Sequence, residues 1–151
     1  MTAAADESLV ERLREHGIQP SVQRVAVARY VLVTDDHPSA DEVWQRVRRT
    51  LPVISRATVY NTLNLLVERG LLRAHVLAPR RVVFDPNLER HHHFIDERSG
   101  RIHDVPWAAV QIGALAELPG FDVHEWQVVM RGRRNATRAP AGRARPRRRS
   151  R

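Results

Sequence analysis

Apolar positions in residues 7–70 recur every three or four places, the period of helices buried on one side. Leu9, Val10 and Leu13 share a face of Glu7–His16, and Gly17 is placed to close that helix in the left-handed conformation. Ser21 can cap a second helix, where Val22, Val25, Ala26, Ala28 and Val31 make a broad apolar face. Ser39 and Glu42 have the spacing of a capping box, and Val43, Trp44 and Val47 follow as the buried side of a third helix. Ser55 starts a fourth, which runs to Arg69 and stops at Gly70. The period then changes. Leu71–Leu77 and Arg81–Phe84 read as two short strands around Ala78-Pro79-Arg80, and three helices followed by a hairpin is a winged helix-turn-helix order.

Residues 86–90 supply hinge chemistry, and a second pattern begins beyond them. His91–Asp96 reads as a strand, Arg98-Ser99-Gly100 as a turn, and Arg101–Val105 as the partner strand. Trp107–Leu118 is apolar enough for a helix, Pro119-Gly120 breaks it, and Phe121–Met130 alternates like a strand. A unit of about forty residues is too small to stand alone and is expected to pair with a copy of itself. The predicted class is α+β, an N-terminal winged helix-turn-helix and then a small α/β dimerisation domain. The divisions are 1–84 for the DNA-binding domain, 85–90 for the hinge, 91–132 for the dimerisation and sensing domain, and 133–151 for a disordered arginine-rich tail.

Charge sharpens that division. The net charge of +8 comes from arginine alone, since the chain has no lysine. Ten of its 25 basic residues and none of its 17 acids lie in residues 131–151, which leaves the preceding body slightly acidic. The basicity therefore belongs to the tail, where it should raise affinity for any polyanion. No apolar run reaches the ~20 residues of a membrane span, and no signal segment opens the chain. A cytoplasmic protein without membrane partners is the expectation. The absence of cysteine excludes disulfides and thiolate metal sites.

Candidate chemistry concentrates between Asp85 and Asp104, where His91, His92, His93 and His103 also fall. Residues two apart on a strand share a face, so His91 and His93 can reach one ion. Histidines and carboxylates without thiolate form a nitrogen and oxygen donor set suited to Fe(II), Mn(II) or Zn(II). In the fourth helix, Arg56, Tyr60, Asn61 and Asn64 fall opposite Val59, Leu63 and Leu66. That polar face suits a major groove, where Arg pairs with guanine and Asn with adenine. Arg80 and Arg81 are placed to neutralise backbone phosphate. An ordinary solvated amphipathic helix has the same periodicity.

The run from Pro52 through Ser55-Arg-Ala-Thr-Val-Tyr-Asn-Thr-Leu to Leu66, followed by Glu68-Arg-Gly-Leu-Leu, resembles the recognition helix of the ferric uptake regulator family. Gly17-Ile-Gln-Pro-Ser-Val-Gln-Arg, Phe84-Asp-Pro-Asn and His91-His-His-Phe through Gly100-Arg-Ile and Asp104 extend the resemblance over residues 7–132. It implies a homodimeric, metal-dependent repressor that binds an inverted-repeat DNA operator, with Arg56 and Tyr60 as DNA contacts. Asn61 is added from the helix face alone. His37, Asp85, His91, His93 and Asp104 resemble the regulatory site of the peroxide-sensing branch, in which a ligand histidine is oxidised. His37 and His91 would be the oxidation-sensitive pair, with Fe(II) or Mn(II) at the site and Zn(II) as an in vitro substitute.

The chain also departs from that family. Asp96 and Ser99 stand where many relatives carry the first of two Cys-x-x-Cys pairs, so the structural four-cysteine zinc site is absent. A second site at His92 lacks two of its usual ligands, because Arg90 and Trp126 replace them; His124 or Glu125 are the remaining candidates. The histidine triplet is also similar to that of iron- and haem-responsive members, which is the alternative reading. Further off stand a mononuclear non-haem iron enzyme and a metal-independent winged-helix protein. The operator, the target genes and the metal held in the cell are not encoded in these patterns.

Overall fold

The computed structural model describes residues 3–78, 81–113 and 120–134. Four helices come first: α1 (Ala3–Glu15), α2 (Val22–Val31), α3 (Ala40–Val47) and α4 (Arg56–Glu68). Each of the last three begins on a serine whose hydroxyl accepts an otherwise unpaired N–H, from Arg24, Glu42 and Thr58 respectively. At Ser39 the box is reciprocal, since Glu42 Oε2 accepts the Ser39 N–H at 2.7 Å. α1 and α4 end alike. Gly17 and Gly70 take φ of 68° and 72°, and the next residue returns its N–H to a carbonyl five back, Ile18 to Leu13 and Leu71 to Leu66. Those four apolar residues are all buried, so each helix end is also a core contact.

The main core gathers Leu13, Val27, Val31, Val43, Val47, Val59, Leu63 and Leu66 from the four helices, with Leu71, Leu72 and Phe84 from the following hairpin. That hairpin pairs β1 (Arg73–Ala78) with β2 (Arg81–Asp85). Its two faces serve two purposes. Phe84 enters the helical core, while Leu77 and Val83 on the other face join Ile102, Ile95 and Val129 in a smaller cluster. The second sheet has the order β4-β3-β5, with β3 (His91–Asp96) antiparallel to β4 (Ile102–Pro106) and parallel to β5 (Val129–Gly132). The winged-helix order and the histidine strand read from the sequence are both present. Asp85, assigned to the hinge from sequence, instead closes β2 opposite Arg73.

Two expected elements differ. Trp107–Ala109 is a single 3-10 turn, after which Val110 is already extended at φ −126° and ψ 122°. Trp107 is held beside Trp126 and His92 instead of starting a helix, and residues 114–118 lie outside the described residues. Of the strand expected over Phe121–Met130, only Val129 and Met130 are in a ladder. Among the described residues, 121–128 find no neighbouring strand, and alternation cannot make a strand without one. The turn residues Pro79 and Arg80 and the tail from Asn135 onward also lie outside the described residues.

The two faces of α4 should separate in measurement. Leu63→Ala, at a fully buried position, is expected to cost about 2–5 kcal/mol of unfolding free energy. Tyr60→Ala, on the exposed face, should change stability by less than ~0.5 kcal/mol, and urea melts of the two variants check both.

Candidate metal centre

Strand pleating assembles the site. His91 and His93 project from one face of β3, and Asp104 is the direct cross-strand partner of His93. On the facing hairpin, Asp85 ends β2 on the face that also carries Val83 and, across the ladder, His75 of β1. His37 arrives from the loop between α2 and α3. Its φ of 49° makes it the one non-glycine residue with positive φ among those described, a strained conformation that costs on the order of 1 kcal/mol. Phe84 N–H to Pro38 O, at 2.9 Å, ties this loop to β2.

The five residues named from sequence come together. One donor atom from each of His37, Asp85, His91, His93 and Asp104 lies within 4.8 Å of every other. His37 Nε2 stands 2.8 Å from Asp104 Oδ1 and 3.2 Å from Asp85 Oδ2; His91 Nε2 stands 2.8 Å from Asp85 Oδ2 and 3.0 Å from His93 Nε2. Yet His37 Nε2, Asp85 Oδ2 and Asp104 Oδ1 are buried with no hydrogen-bond partner. Atoms this close whose angles miss hydrogen-bond geometry converge on a shared point. Such a set fits a divalent ion with nitrogen and oxygen ligands.

The outer contacts favour the same orientation. His91 Nδ1 faces Glu89 O at 2.8 Å, and His37 Nδ1 faces Asp35 O at 3.3 Å, which leaves each Nε2 to the centre. Asn87 was not singled out from sequence, and it holds both carboxylates. Its N–H donates to Asp85 Oδ1 at 2.7 Å and its side-chain amide to Asp104 Oδ2 at 2.6 Å. Each carboxylate thus keeps one oxygen for the centre. His75 was missed as well. It stands on β1, apart from the histidine run of β3, and only the hairpin register reveals that it shares a face with Asp85.

The charges in the metal-free protein follow from the geometry. Burial pulls the His37 pKa down, but Asp104 and Asp85 outweigh it and raise it to about 9. Asp85 raises His91, against burial. Burial pushes Asp85 up, and the imidazoles of His37, His91 and His93 with the Asn87 N–H hold it far below the usual carboxylate range. Asp104 is likewise lowered against burial by His37 and Asn87. Burial and the neighbouring His93 lower His75 to about 4, despite Asp85.

The other candidates are dispersed. His92 is fully buried on the opposite face of β3, with Trp107 and Trp126 at ring centroid distances of 4.5 and 5.4 Å, and its Nδ1 accepts the Val128 N–H. His124 is exposed beside Asp122, and Glu125 pairs with Arg73 at 2.8 Å. His103 faces Phe94. On α4, Arg56, Tyr60, Asn61 and Asn64 are exposed together, but the Arg56 guanidinium lies 4.4 Å over Trp44 and 3.3 Å from Asp41. Arg81 is half-buried on β2, and Arg80 lies outside the described residues.

Comparison with known proteins agrees with the architecture. The model of the ferric uptake regulator family matches residues 15–130. The peroxide-responsive repressor PerR of Staphylococcus aureus strain Mu50 is 34% identical over 119 residues, covering 78% of this chain and 80% of that protein. The ferric uptake regulator of Helicobacter pylori, described with three functional metal binding sites, aligns at TM-score 0.67 and 19% identity over 91% of this chain and 96% of its own. That of Pseudomonas aeruginosa, solved with manganese, aligns at TM-score 0.64 and 22% identity over 83% and 97%. At such identities the two structures speak for the fold.

The titrations give the metal-free protein a stability maximum near pH 6.5. The raised His37 contributes stability that is complete below its ordinary pKa of 6.5 and is lost as pH rises through about 9. The depressed His75 acts oppositely, and stability falls as pH drops from 6.5 through about 4, with Asp85 and Asp104 adding their loss lower still. Thermal melts of chelated protein across pH 4–9 check the optimum. Asn87→Ala should weaken Mn(II) binding by about 10–100-fold with little change in the fold, as titration calorimetry would show.

Proposed function

This chain belongs to the ferric uptake regulator family, and from that premise we propose that it is a metal-dependent transcriptional repressor that responds to hydrogen peroxide. One observation carries the reading: five donors from four segments of the chain, four of them on buried residues, converge while three of their atoms bond nothing else. His37, Asp85, His91, His93 and Asp104 are the proposed ligands. Regulators of this family bind DNA as dimers, and the similarity to a peroxide-responsive repressor supports the choice of signal. No helix among the described residues is long and apolar enough to cross a membrane.

The residues supply the mechanism. His37 belongs to the helical unit, Asp85 ends the wing, and His91, His93 and Asp104 belong to the second sheet. Holding one ion in common, they fix the helical unit against that sheet, and hence the two recognition helices of a dimer against each other. Arg56, Tyr60 and Asn61 on α4, with Arg80 and Arg81 on the wing, would meet the DNA. Half-sites of an inverted repeat sit on matching helical phases, so loss of the fixed spacing weakens both halves at once. Bound Fe(II) would activate the peroxide O–O bond for oxidation of a neighbouring imidazole, whereas redox-inert Mn(II) would support DNA binding without that response. Transfer of one peroxide oxygen to the imidazole of His37 or His91, the other leaving as water, would remove a donor and release the helical unit. The arrangement is a regulator's and not an enzyme's.

The test loads the protein anaerobically with Fe(II) or Mn(II), adds peroxide, and follows binding to an inverted-repeat DNA selected with the Mn(II) form. Iron-loaded protein should lose DNA binding and gain one oxygen on a peptide containing His37 or His91, and manganese-loaded protein should do neither. Retained binding without oxidation in the iron form would instead favour iron or haem as the signal.

A further inference from the structure

We propose that Asp41 is a positioning residue for DNA reading: with the Trp44 ring as a platform, it holds the Arg56 guanidinium in the attitude that pairs with a guanine. The inference rests on the DNA-binding reading above and extends it to a residue of α3 that need not touch a base. Three contacts carry it. The Arg56 guanidinium carbon lies 4.4 Å from the centre of the Trp44 ring, and Arg56 Nη1 lies 3.3 Å from Asp41 Oδ1. The ring is itself pinned, because Trp44 Nε1 donates to Ile54 O at 3.1 Å, two residues before Arg56. Ile54 is buried in the helical core, so the platform is fixed to the same turn from which α4 starts.

A recognition helix meets base edges through its N-terminal residues, and Arg56 is the first residue of α4. Pairing with guanine uses two parallel N–H groups of a planar guanidinium, which demands a fixed orientation. An unrestrained arginine loses much rotamer freedom on docking, and stacking on a pinned ring removes part of that loss beforehand. Asp41 Oδ1 is buried and accepts no hydrogen bond, so it steers Arg56 by charge and takes none of its N–H groups out of use. The placement of Asp41 points to selectivity. It lines one groove between α3, α4 and the wing together with Tyr60, Asn64 and Arg81. A carboxylate there would face the polyanion and lower affinity for every sequence, so what it contributes is discrimination.

The test takes the Mn(II)-loaded chain and its selected inverted-repeat DNA, changed one base pair at a time in both half-sites, and measures binding by competition. Wild type should prefer guanine at one position of each half-site by about tenfold or more, and Arg56→Ala should abolish that preference. Asp41→Asn, of the same shape without the charge, should cut it at least about threefold while binding unrelated DNA more tightly. Asp41→Glu, which restores the charge, should restore the preference. Asp41 also lies in the first turn of α3, where its charge suits the helix dipole; that role alone would move the melting temperature and leave base preference untouched. A guanine preference that is unchanged in Asp41→Asn, lost equally in both Asp41 variants, or insensitive to Arg56→Ala would overturn the proposal while leaving DNA binding intact. Selection of no DNA sequence by the wild type would remove the DNA-binding reading, and the role of Asp41 with it.

Discussion

Asp85 is the constraint around which the rest is organised. Its carboxylate is almost wholly buried and remains ionised, so it must meet positive charge at close range. His37, His91 and His93 approach it from a loop of the helical unit and from the second sheet, and Asn87 fixes the oxygen they do not face. In the metal-free protein a proton on His37 supplies that charge. A divalent ion at the proposed site would supply it instead, and His37 could not donate to that ion while its Nε2 is protonated. Proton and metal would then compete for one position, which would make the link between the two units conditional. Little else joins them strongly. The Asp36–Arg101 pair is exposed on both sides, Arg131 reaches one carbonyl at Leu77, and the shared apolar cluster is small.

The helical half was legible because its signals are local. Ser21, Ser39, Ser55, Gly17 and Gly70 act within a turn of their own positions, and each stands where its local chemistry requires. His91 and His93 were legible for the same reason, since a strand's alternation is contained in three residues. The partners that come through pairing were not. His75 meets Asp85 only through the hairpin register, and Asn87 spans to Asp104 only once β4 lies beside β3. The failures are of one kind too. Trp107–Leu118 and Phe121–Met130 had suitable periodicity, but periodicity states what a segment can bury and not what is there to receive it. Trp107 found His92 and Trp126, and residues 121–128 found no strand among the described residues.

The second sheet is tied together without cysteine. At the turn between β3 and β4, Asp96 Oδ2 accepts the Ser99 hydroxyl at 2.6 Å, Asp96 Oδ1 accepts the Arg98 N–H, and Gly100 returns its N–H to Asp96 O. The side chain of Asp96 closes the turn without any ion, and Glu97 N–H to Gly132 O binds the end of β5 to it. Gly132 lies against the Phe94 ring, close enough that a Cβ there would make contact at 3.5 Å. On the buried face, His92, Trp107 and Trp126 pack mutually, with ring centroids 4.1–5.4 Å apart. Stacked rings and a hydrogen-bonded turn hold this sheet by packing.

These features decide where motion is available. Pro38 is bonded to Phe84, Phe84 is packed among the four helices, and Asp85 follows it directly, so His37 and Asp85 belong to one rigid body with α4. His91, His93 and Asp104 are equally fixed to the other by the β3–β4 ladder. Neither set can shift within its own unit without breaking core or ladder contacts. The chain from Pro86 to Arg90 has no ladder pairing and connects the two. In the proposed mechanism a change in occupancy at the centre would appear as rotation of the whole helical unit about that segment, with the exposed face of α4 carried intact. A sensor built this way alters the spacing of its reading heads and leaves their contact surfaces unchanged.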